Sequence, residues 1–326
     1  MNIAINGFGR IGRAVFKICL ERGIQVVAIN DLHGSEDAAY LLKYDSVYGR
    51  FPAEIEAKGN ELIVNGKRIK VIGEKEPDKL PWKKLKADVI IESTGVFTDR
   101  QNAAKHLKAG AKYVIITAPA KSPDITIVPG VNDNKLKKEH RIISLASCTT
   151  NCLAPVLKVL NDNFGVESGF MTTAHAYTND QVVHDQFHRK KRRGRATALN
   201  IIPTSSGATE AINAVLPELK NKIDGLALRV PISVGSIIDL VVKLKKRTSE
   251  NKINAAMKKA SHGKMKGILE YTEDDIVSSD VIGTSCSSLF DATGTMQIKD
   301  MVKILAWYDN EYGYSCRVVD VIQMLS

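Results

Sequence analysis

A cysteine at the hand-over from a strand to a helix can serve as a nucleophile, and Ser147-Cys148-Thr149-Thr150-Asn151-Cys152 has that form. The apolar run Ile142-Ile143-Ser144-Leu145 before it reads as a buried strand, and a helical pattern from about Leu153 to Leu160 follows. Cys148 therefore falls among the unpaired N–H groups of a helix start. Those donors and the positive end of the helix dipole favour a thiolate over a thiol. Cys152 lies one helical turn further in. The plainer reading is that Cys148 is a small buried hydrophobe, the common fate of a free cysteine. A base separates the two readings. His175 ends a strand in Thr172-Thr173-Ala174-His175-Ala176-Tyr177. A histidine there is more often structural than catalytic, but paired in space with Cys148 it would activate the thiol.

Groups for anions come next. Arg229 lies inside the apolar strand Leu226-Ala227-Leu228-Arg229-Val230, where a lone charge is costly unless it is paired. It is either half of a buried salt bridge or a bidentate phosphate clamp. Arg195 ends the basic run His188-Arg189-Lys190-Lys191-Arg192-Arg193-Gly194-Arg195 and is the other candidate clamp. Ser205-Ser206-Gly207 ahead of a helix offers a second anion-binding helix start. The basic run itself reads first as a solvated loop. Nucleic-acid binding is the weaker reading, because no aromatic stacking platform accompanies it.

These groups need a frame, and the N-terminus supplies half of it. The strand Ile3–Ile5 runs into Asn6-Gly7-Phe8-Gly9-Arg10-Ile11-Gly12-Arg13, then a helix to Leu20. Gly7, Gly9 and Gly12 fit G-x-G-x-x-G. The first glycine permits a tight turn, the second lets backbone approach a pyrophosphate, and the third lets the helix pack closely. A second strand, Gln25–Ile29, ends at Asn30-Asp31. Asp31, nineteen residues after Gly12, is placed to grip the adenosine ribose. A carboxylate there favours NAD over NADP, while His33 two positions on softens the repulsion of a 2′-phosphate.

Further strands follow: a hairpin at 62–72 around Asn65-Gly66, then Asp88–Ile91, Tyr113–Ile116, Ile125–Val128 and Ile142–Leu145. Asp99 is a candidate N-cap. The expected class is α/β, with a doubly wound parallel-sheet domain over 1–147. An α+β domain with a mostly antiparallel sheet is expected over 148–312, from longer alternating strands at 168–174, 225–233, 236–244 and 302–308. Helices are expected at 209–216 and 254–261. A last helix, within 313–326, would pack back on the first domain.

The chain has 326 residues and a formal charge of +10. That length suits about two domains, and that charge suits anionic partners such as phosphorylated molecules. Five scattered cysteines argue against a disulfide scaffold and for a cytoplasmic setting. Cys148 and Cys152 lack a Cys/His pair that would complete a zinc site, so no metal is expected. No signal peptide and no membrane-spanning run is read.

Taken together, the sequence resembles the phosphorylating glyceraldehyde-3-phosphate dehydrogenase family. The resemblance rests on Asn6–Arg13, Leu42-Lys-Tyr-Asp-Ser-Val47, Ser93-Thr-Gly-Val-Phe97, Ala146–Cys152, His175-Ala-Tyr-Thr178, Asn200-Ile-Ile-Pro-Thr204 and Trp307-Tyr-Asp-Asn-Glu311, in family order from end to end. It implies that Cys148 attacks the aldehyde of glyceraldehyde 3-phosphate and His175 takes up the proton. Hydride then passes to NAD, and inorganic phosphate cleaves the thioester to 1,3-bisphosphoglycerate. It implies that Ser147, Thr149, Thr178, Arg195, Ser206, Gly207 and Arg229 bind phosphate groups. Arg10, Ile11, Asp31, Thr117 and the Lys75 backbone would hold NAD, and Asn310 would orient the nicotinamide carboxamide. A homotetramer is implied as well, with the 181–195 loop near a subunit contact.

There are departures from the family pattern. Ser206 replaces a usual Thr and keeps the hydroxyl. Gln186-Phe187 replaces a Leu-Pro pair of NAD-specific members, which keeps an NADP-preferring enzyme in view. Tyr312 and Cys316 replace a usual Trp and Asn. Erythrose-4-phosphate dehydrogenase is the enzymatic rival, although Asn200–Gly207 fits the triose enzyme better. A nucleic-acid-binding protein is the rival of a different class, and it leaves Cys148 and the glycines unexplained.

Overall fold

A computed structural model describes residues 1–325. They divide into two compact units. Met1–Ile127, Asn134–Ala146 and the chain from Ser315 onward form the first; Val128–Asp133 and Ser147–Tyr314 form the second.

The first unit carries β1 (Ile3–Asn6), α1 (Arg10–Glu21), β2 (Val26–Asn30) and α2 (Gly34–Lys43), then a small ribbon of β3 (Tyr44–Asp45) and β4 (Gly49–Arg50). It continues with β5 (Ile55–Lys58), β6 (Glu61–Val64), β7 (Lys67–Ile72), α3 (Trp82–Leu85), β8 (Val89–Glu92) and α4 (Arg100–Lys108). The last strands are β9 (Tyr113–Ile116), β10 (Ile125–Thr126) and β11 (Ile142–Ser144). The main sheet runs β10-β11-β9-β8-β1-β2-β7-β6-β5. It is parallel from β10 through β7, and β6 and β5 extend it as an antiparallel edge. Its central strands are apolar because helices cover both faces: Ile3, Ile5, Val89–Ile91 and Val114–Ile116 are all fully buried. Burial of each such side chain is worth about 1.5–3 kcal/mol. The expected strand at 125–128 stops at Thr126, and Asp99 caps α4 by accepting from the Asn102 N–H.

The second unit carries α5 (Cys148–Phe164), β12 (Val166–Ala176), β13 (Ile202–Ser205), α6 (Ala208–Val215), β14 (Ile223–Val230), β15 (Ser236–Leu244), α7 (Glu250–His262), β16 (Leu269–Thr272), β17 (Ser288–Ile298) and β18 (Met301–Tyr308). Its sheet order is β13-β14-β12-β15-β18-β17-β16. The β12–β14 and β16–β17 pairs are parallel and the other four are antiparallel. Leu153, Val156, Leu157 and Leu160 of α5 pack with Leu240, Val242 and Ile304 in one core. Val128 and Val131 belong to that core too, which is why this short segment, expected with the first domain, groups with the second unit.

α8 (Tyr312–Met324) ends the chain. From Ser315 on it belongs to the first unit, where Arg22 Nη1 reaches Asp320 Oδ1 at 2.6 Å.

Candidate active site

Two sites take shape, one in each unit. In the first, β1 ends at Asn6 and the chain turns at Gly7, whose φ is +92°. A Cβ at Gly7 would lie 2.7 Å from the Thr94 nitrogen, and one at Gly12 would lie 2.1 Å from the Gly7 carbonyl oxygen. Both positions therefore require glycine, and Gly12 makes its close approach to the turn itself. Gly9 differs. A Cβ there would meet nothing within 4 Å, so the space above the turn is open. Gly9 is also the N-cap of α1 and offers no side-chain cap, the form an anion-binding helix start takes.

A cleft of about 450 Å³ opens here, lined among others by Gly7, Gly9, Asp31, His33, Lys75 and Thr94. Asp31 follows β2. Its Oδ2 accepts from the Phe8 N–H at 2.8 Å, and its Oδ1 lies 2.9 Å from His33 Nδ1. Burial works against this carboxylate, but the Phe8 N–H and the His33 ring outweigh it and hold Asp31 below the usual range. Arg10 is paired with Asp45 at 2.8 Å, and the Thr117 hydroxyl donates to the Glu92 carbonyl at 3.2 Å. Ile11 sits half-buried in the first turn of α1.

Beneath the cleft is a buried polar chain that the sequence did not disclose. Trp82 Nε1 donates to His106 Nδ1 at 3.0 Å. Because the indole N–H can only donate, His106 carries its proton on Nε2, which faces Glu92 Oε2 at 3.0 Å. Asn6 Nδ2 donates to the same oxygen at 2.5 Å, and the Thr94 N–H to Glu92 Oε1 at 2.9 Å. The chain fixes the two strand ends that carry the glycine turn and the Thr94 rim.

In the second unit, α5 begins at Cys148 itself, five residues before the hydrophobic period suggested. Ser147 is the N-cap, its hydroxyl accepting from the Thr150 N–H at 3.1 Å. Just before it, Ala146 has φ +54°, a left-handed conformation costing about 1–3 kcal/mol in a non-glycine residue. Cys148 Sγ lies 3.4 Å from His175 Nε2, at the end of β12. His175 Nδ1 lies 2.7 Å from the Ala176 carbonyl oxygen. With its proton on Nδ1, donated to that carbonyl, His175 presents Nε2 as a bare base to the sulfur.

Arg229 is the neighbouring residue across the β12–β14 pair, where His175 and Arg229 are in register. Its Nη1 is 3.0 Å from the Ala176 oxygen and 2.6 Å from His175 Nδ1. The guanidinium bond to the Ala176 carbonyl is compatible with a proton on His175 Nδ1, whereas its 2.6 Å approach to Nδ1 is made by a group that can only donate. Among the described residues no carboxylate ion pair forms with Arg229, so the buried-salt-bridge alternative does not hold. Its cation is left for an anion from outside the chain.

Burial pushes the Cys148 thiol up, opposed by Arg229 and by the Thr149 hydroxyl and N–H. Burial first, and Arg229 second, push His175 down to about 3. A standing thiolate beside an imidazolium is therefore opposed on both sides, contrary to what the helix start alone suggests. Cys148 is nonetheless the one cysteine of the five that is not buried. Cys152 is buried, hydrogen-bonded to Ser288 Oγ at 3.4 Å and pushed well above the ordinary thiol range by burial. It is structural.

The remaining candidates sit as follows. Thr149 is buried and shares its hydroxyl with Tyr308 at 2.9 Å, so its N–H is what a ligand could use. Thr178 N–H and hydroxyl are both turned to Gln181 Oε1, at 2.9 and 3.2 Å. Ser206 Oγ accepts from the Ala208 N–H at 3.2 Å, and the space beside Gly207 is open. Arg195 is exposed and paired with Asp185 at 2.8 Å. Asn310 Oδ1 accepts from the Gly235 N–H and the Ser236 hydroxyl, which fixes the amide and leaves its NH₂ end for a ligand.

Two contributors were missed. Tyr308 OH bridges Thr149 and Thr173, and its ring stands edge-on to His175 at 5.9 Å. Arg193 does not behave as part of a solvated loop. It is paired with Asp180, donates to Thr204 Oγ1 at 2.8 Å and helps lower His175. Nothing in the alternation of β18 or in a run of basic residues marks either one.

Comparison with known proteins gives a family match within each unit. Residues 1–100 match the NAD binding domain of glyceraldehyde 3-phosphate dehydrogenase, and residues 147–310 match its C-terminal domain. Among curated proteins named glyceraldehyde-3-phosphate dehydrogenase, that of Thermotoga maritima is 57% identical over 327 residues, covering 99% of this chain and 98% of its own. That of Geobacillus stearothermophilus is 54% identical over 324 residues, covering 98% and 97%. That of Borreliella burgdorferi is 54% identical over 333 residues, covering 100% and 99%. With both domains matched and identity above half along nearly the whole length, the chain belongs to the glyceraldehyde-3-phosphate dehydrogenase family.

Proposed function

We propose that this chain oxidises D-glyceraldehyde 3-phosphate to 1,3-bisphosphoglycerate, with NAD as hydride acceptor and inorganic phosphate as the second substrate. The observation that carries the reading is the 3.4 Å contact between Cys148 Sγ and His175 Nε2 at the start of α5, beside an arginine without a carboxylate partner.

Cys148 Sγ adds to the aldehyde carbon while its proton passes to His175 Nε2, and His175 returns that proton to the alkoxide oxygen to give the neutral thiohemiacetal. The N–H groups at the start of α5 stabilise the oxyanion as it forms. His175 then removes the hydroxyl proton as the hydride leaves carbon, so that a thioester remains on Cys148. Bound NAD supplies the acceptor for that hydride. Phosphate attacks the thioester carbonyl, the acyl phosphate departs, and the sulfur recovers its proton from His175. The Ala176 carbonyl holds His175 in the required tautomer throughout.

Arg229 and Arg195 serve the two phosphate groups, with Thr178, Ser206, Gly207, Ser147 and the Thr149 N–H. Arg195 exchanges its exposed partner Asp185 for the ligand. Gly7, Gly9, Gly12, Arg10 and Ile11 hold the pyrophosphate turn, Asp31 the ribose, and Thr117 and Lys75 the rest of the nucleotide. The Asn310 NH₂ meets the nicotinamide carboxamide.

A cytoplasmic homotetramer is part of the proposal. That none of the five cysteines forms a disulfide supports a reducing compartment. Phe187, Leu199 and Ile201, all strongly exposed, support a subunit contact that would cover them. Light scattering on the purified chain would return the mass of four subunits; a monomer at micromolar concentration would overturn that part.

The test of the reaction is the rate with glyceraldehyde 3-phosphate and NAD, with and without phosphate, in the wild type and in Cys148→Ser. Multiple turnover should require phosphate. The variant should lose oxidation by about 10³-fold or more while still binding NAD. Retained turnover in the variant would remove the thiohemiacetal mechanism.

A further inference from the structure

The carboxylate that faces the adenosine ribose is not alone in this chain. Asp31 Oδ1 receives the His33 N–H at 3.1 Å and the His33 ring at 2.9 Å. The ring is an exposed one, its side chain 79% accessible, and it borders the same cleft as Asp31 and Gly9. His33 also ends the loop just ahead of α2, so neighbouring backbone holds it there.

We propose that His33 is a specificity-determining residue that makes the choice between NAD and NADP depend on pH. With the imidazole neutral, Asp31 presents an uncompensated negative charge to the ribose edge. It accepts hydroxyl hydrogen bonds from NAD and repels a 2′-phosphate. With the imidazole protonated, Asp31 and His33 form a pair of zero net charge, and the imidazolium adds a donor and a cation for that phosphate. NAD, which lacks the phosphate, feels the change far less.

The direction of the titration agrees. The hydrogen bond and charge of Asp31 raise His33 above its ordinary value, which brings its protonation toward neutral pH. The other charged group acting on it is Asp37 on α2, which favours the imidazolium; Glu74 and Lys75 line the same cleft. Replacing His33 alone leaves all of these in place, so a comparison of variants isolates the ring. The inference rests on the NAD-dependent reading above.

The experiment is calorimetric binding of NAD, NADP, ADP and adenosine 2′,5′-bisphosphate to the full chain between pH 5.5 and 8.5, in wild type, His33→Gln and Asp31→Asn. The 2′-phosphate titrates in this range by itself, and His33→Gln measures that background. In the wild type the preference for NAD over NADP should shrink about tenfold from pH 8.5 to pH 5.5, beyond the change in His33→Gln. ADP against the bisphosphate should show the same trend. In Asp31→Asn the dependence should persist with a lower midpoint, because the carboxylate that holds the imidazolium is gone. Parallel pH profiles in wild type and His33→Gln would overturn the proposal. Unmeasurable binding of NAD to the wild type at every pH would instead overturn the NAD-dependent reading on which it rests.

Discussion

The glycine turn of the first unit and the thiol site of the second are built in opposite ways. Around Gly7, Gly9 and Gly12 the structure offers backbone: an open space, a helix start without a side-chain cap and a close helix approach. Around Cys148 it offers side chains from four separate elements, α5, β12, β14 and β18, held by hydrogen bonds at fixed distances. We propose that the first binds by shape and peptide dipoles, so that it tolerates little added volume. We propose that the second works by proton position, so that it tolerates little change in charge. Each difference can be tested by damaging one site and measuring at both.

The largest effect is expected at His175. His175→Asn should lower the oxidation rate by about 10²–10⁴-fold and slow alkylation of Cys148 near neutral pH, with NAD affinity unchanged. Unchanged alkylation would show that His175 is not the base for this sulfur. The same variant alters acid stability. The folded-state value of His175 is about 3, below its ordinary 6.5. In acid the unfolded chain therefore takes a proton that the folded chain refuses. The contribution is complete above pH 6.5 and is lost as the pH falls toward 3. Urea titrations at pH 7 and pH 5 should show a steeper loss for the wild type than for His175→Asn.

The next contrast lies within the glycine turn. Gly12→Ala drives a methyl into the Gly7 carbonyl, so NAD affinity should drop by about 100-fold and the first unit should lose about 1–3 kcal/mol of stability. Gly9→Ala meets no atom, so the melting temperature should hold while NAD affinity still falls, by about tenfold. If both variants keep full affinity, as measured by calorimetry, the pyrophosphate does not bind at this turn. Cys148 alkylation should be normal in each.

Arg229→Gln should raise the KM for the phosphorylated aldehyde by about tenfold or more. It should also move the acid limb of the kcat/KM profile to higher pH, since a cation that lowers His175 has been removed. A KM effect with no movement of the limb would confine Arg229 to substrate binding. The smallest change is expected for Cys152→Ala. It removes a buried sulfur bonded to Ser288 and should cost about 1–2 kcal/mol in a denaturant titration while leaving turnover intact.

Legibility followed the same divide. The G-x-G-x-x-G spacing and Asp31 were readable because backbone requirements are local: a tight turn or a close approach must be met by the residue at that position. The hairpin at 61–72 was readable from Asn65-Gly66 for the same reason. The helical pattern of α5 was read from about Leu153, five residues late, because Cys-Thr-Thr-Asn-Cys are weak helix formers ahead of the apolar period. The long strand β17 passed unread, since Ser288, Thr293, Gly294 and Thr295 interrupt any alternation; it is held by its pairing with β18.

By itself the sequence determined the class of the N-terminal sheet, the nucleotide turn and the residue types available for thiol chemistry. Those follow from short stretches whose steric and hydrogen-bonding demands are met by near neighbours in the chain. Only the tertiary structure decided that His175 faces Cys148, that Arg229 lies beside His175 without a carboxylate, and that Tyr308 and Arg193 belong to the site. These residues are separated by tens to more than a hundred positions. They meet because the pairing of β12 with β14 puts His175 and Arg229 in register, while core packing seats α5 against the same sheet.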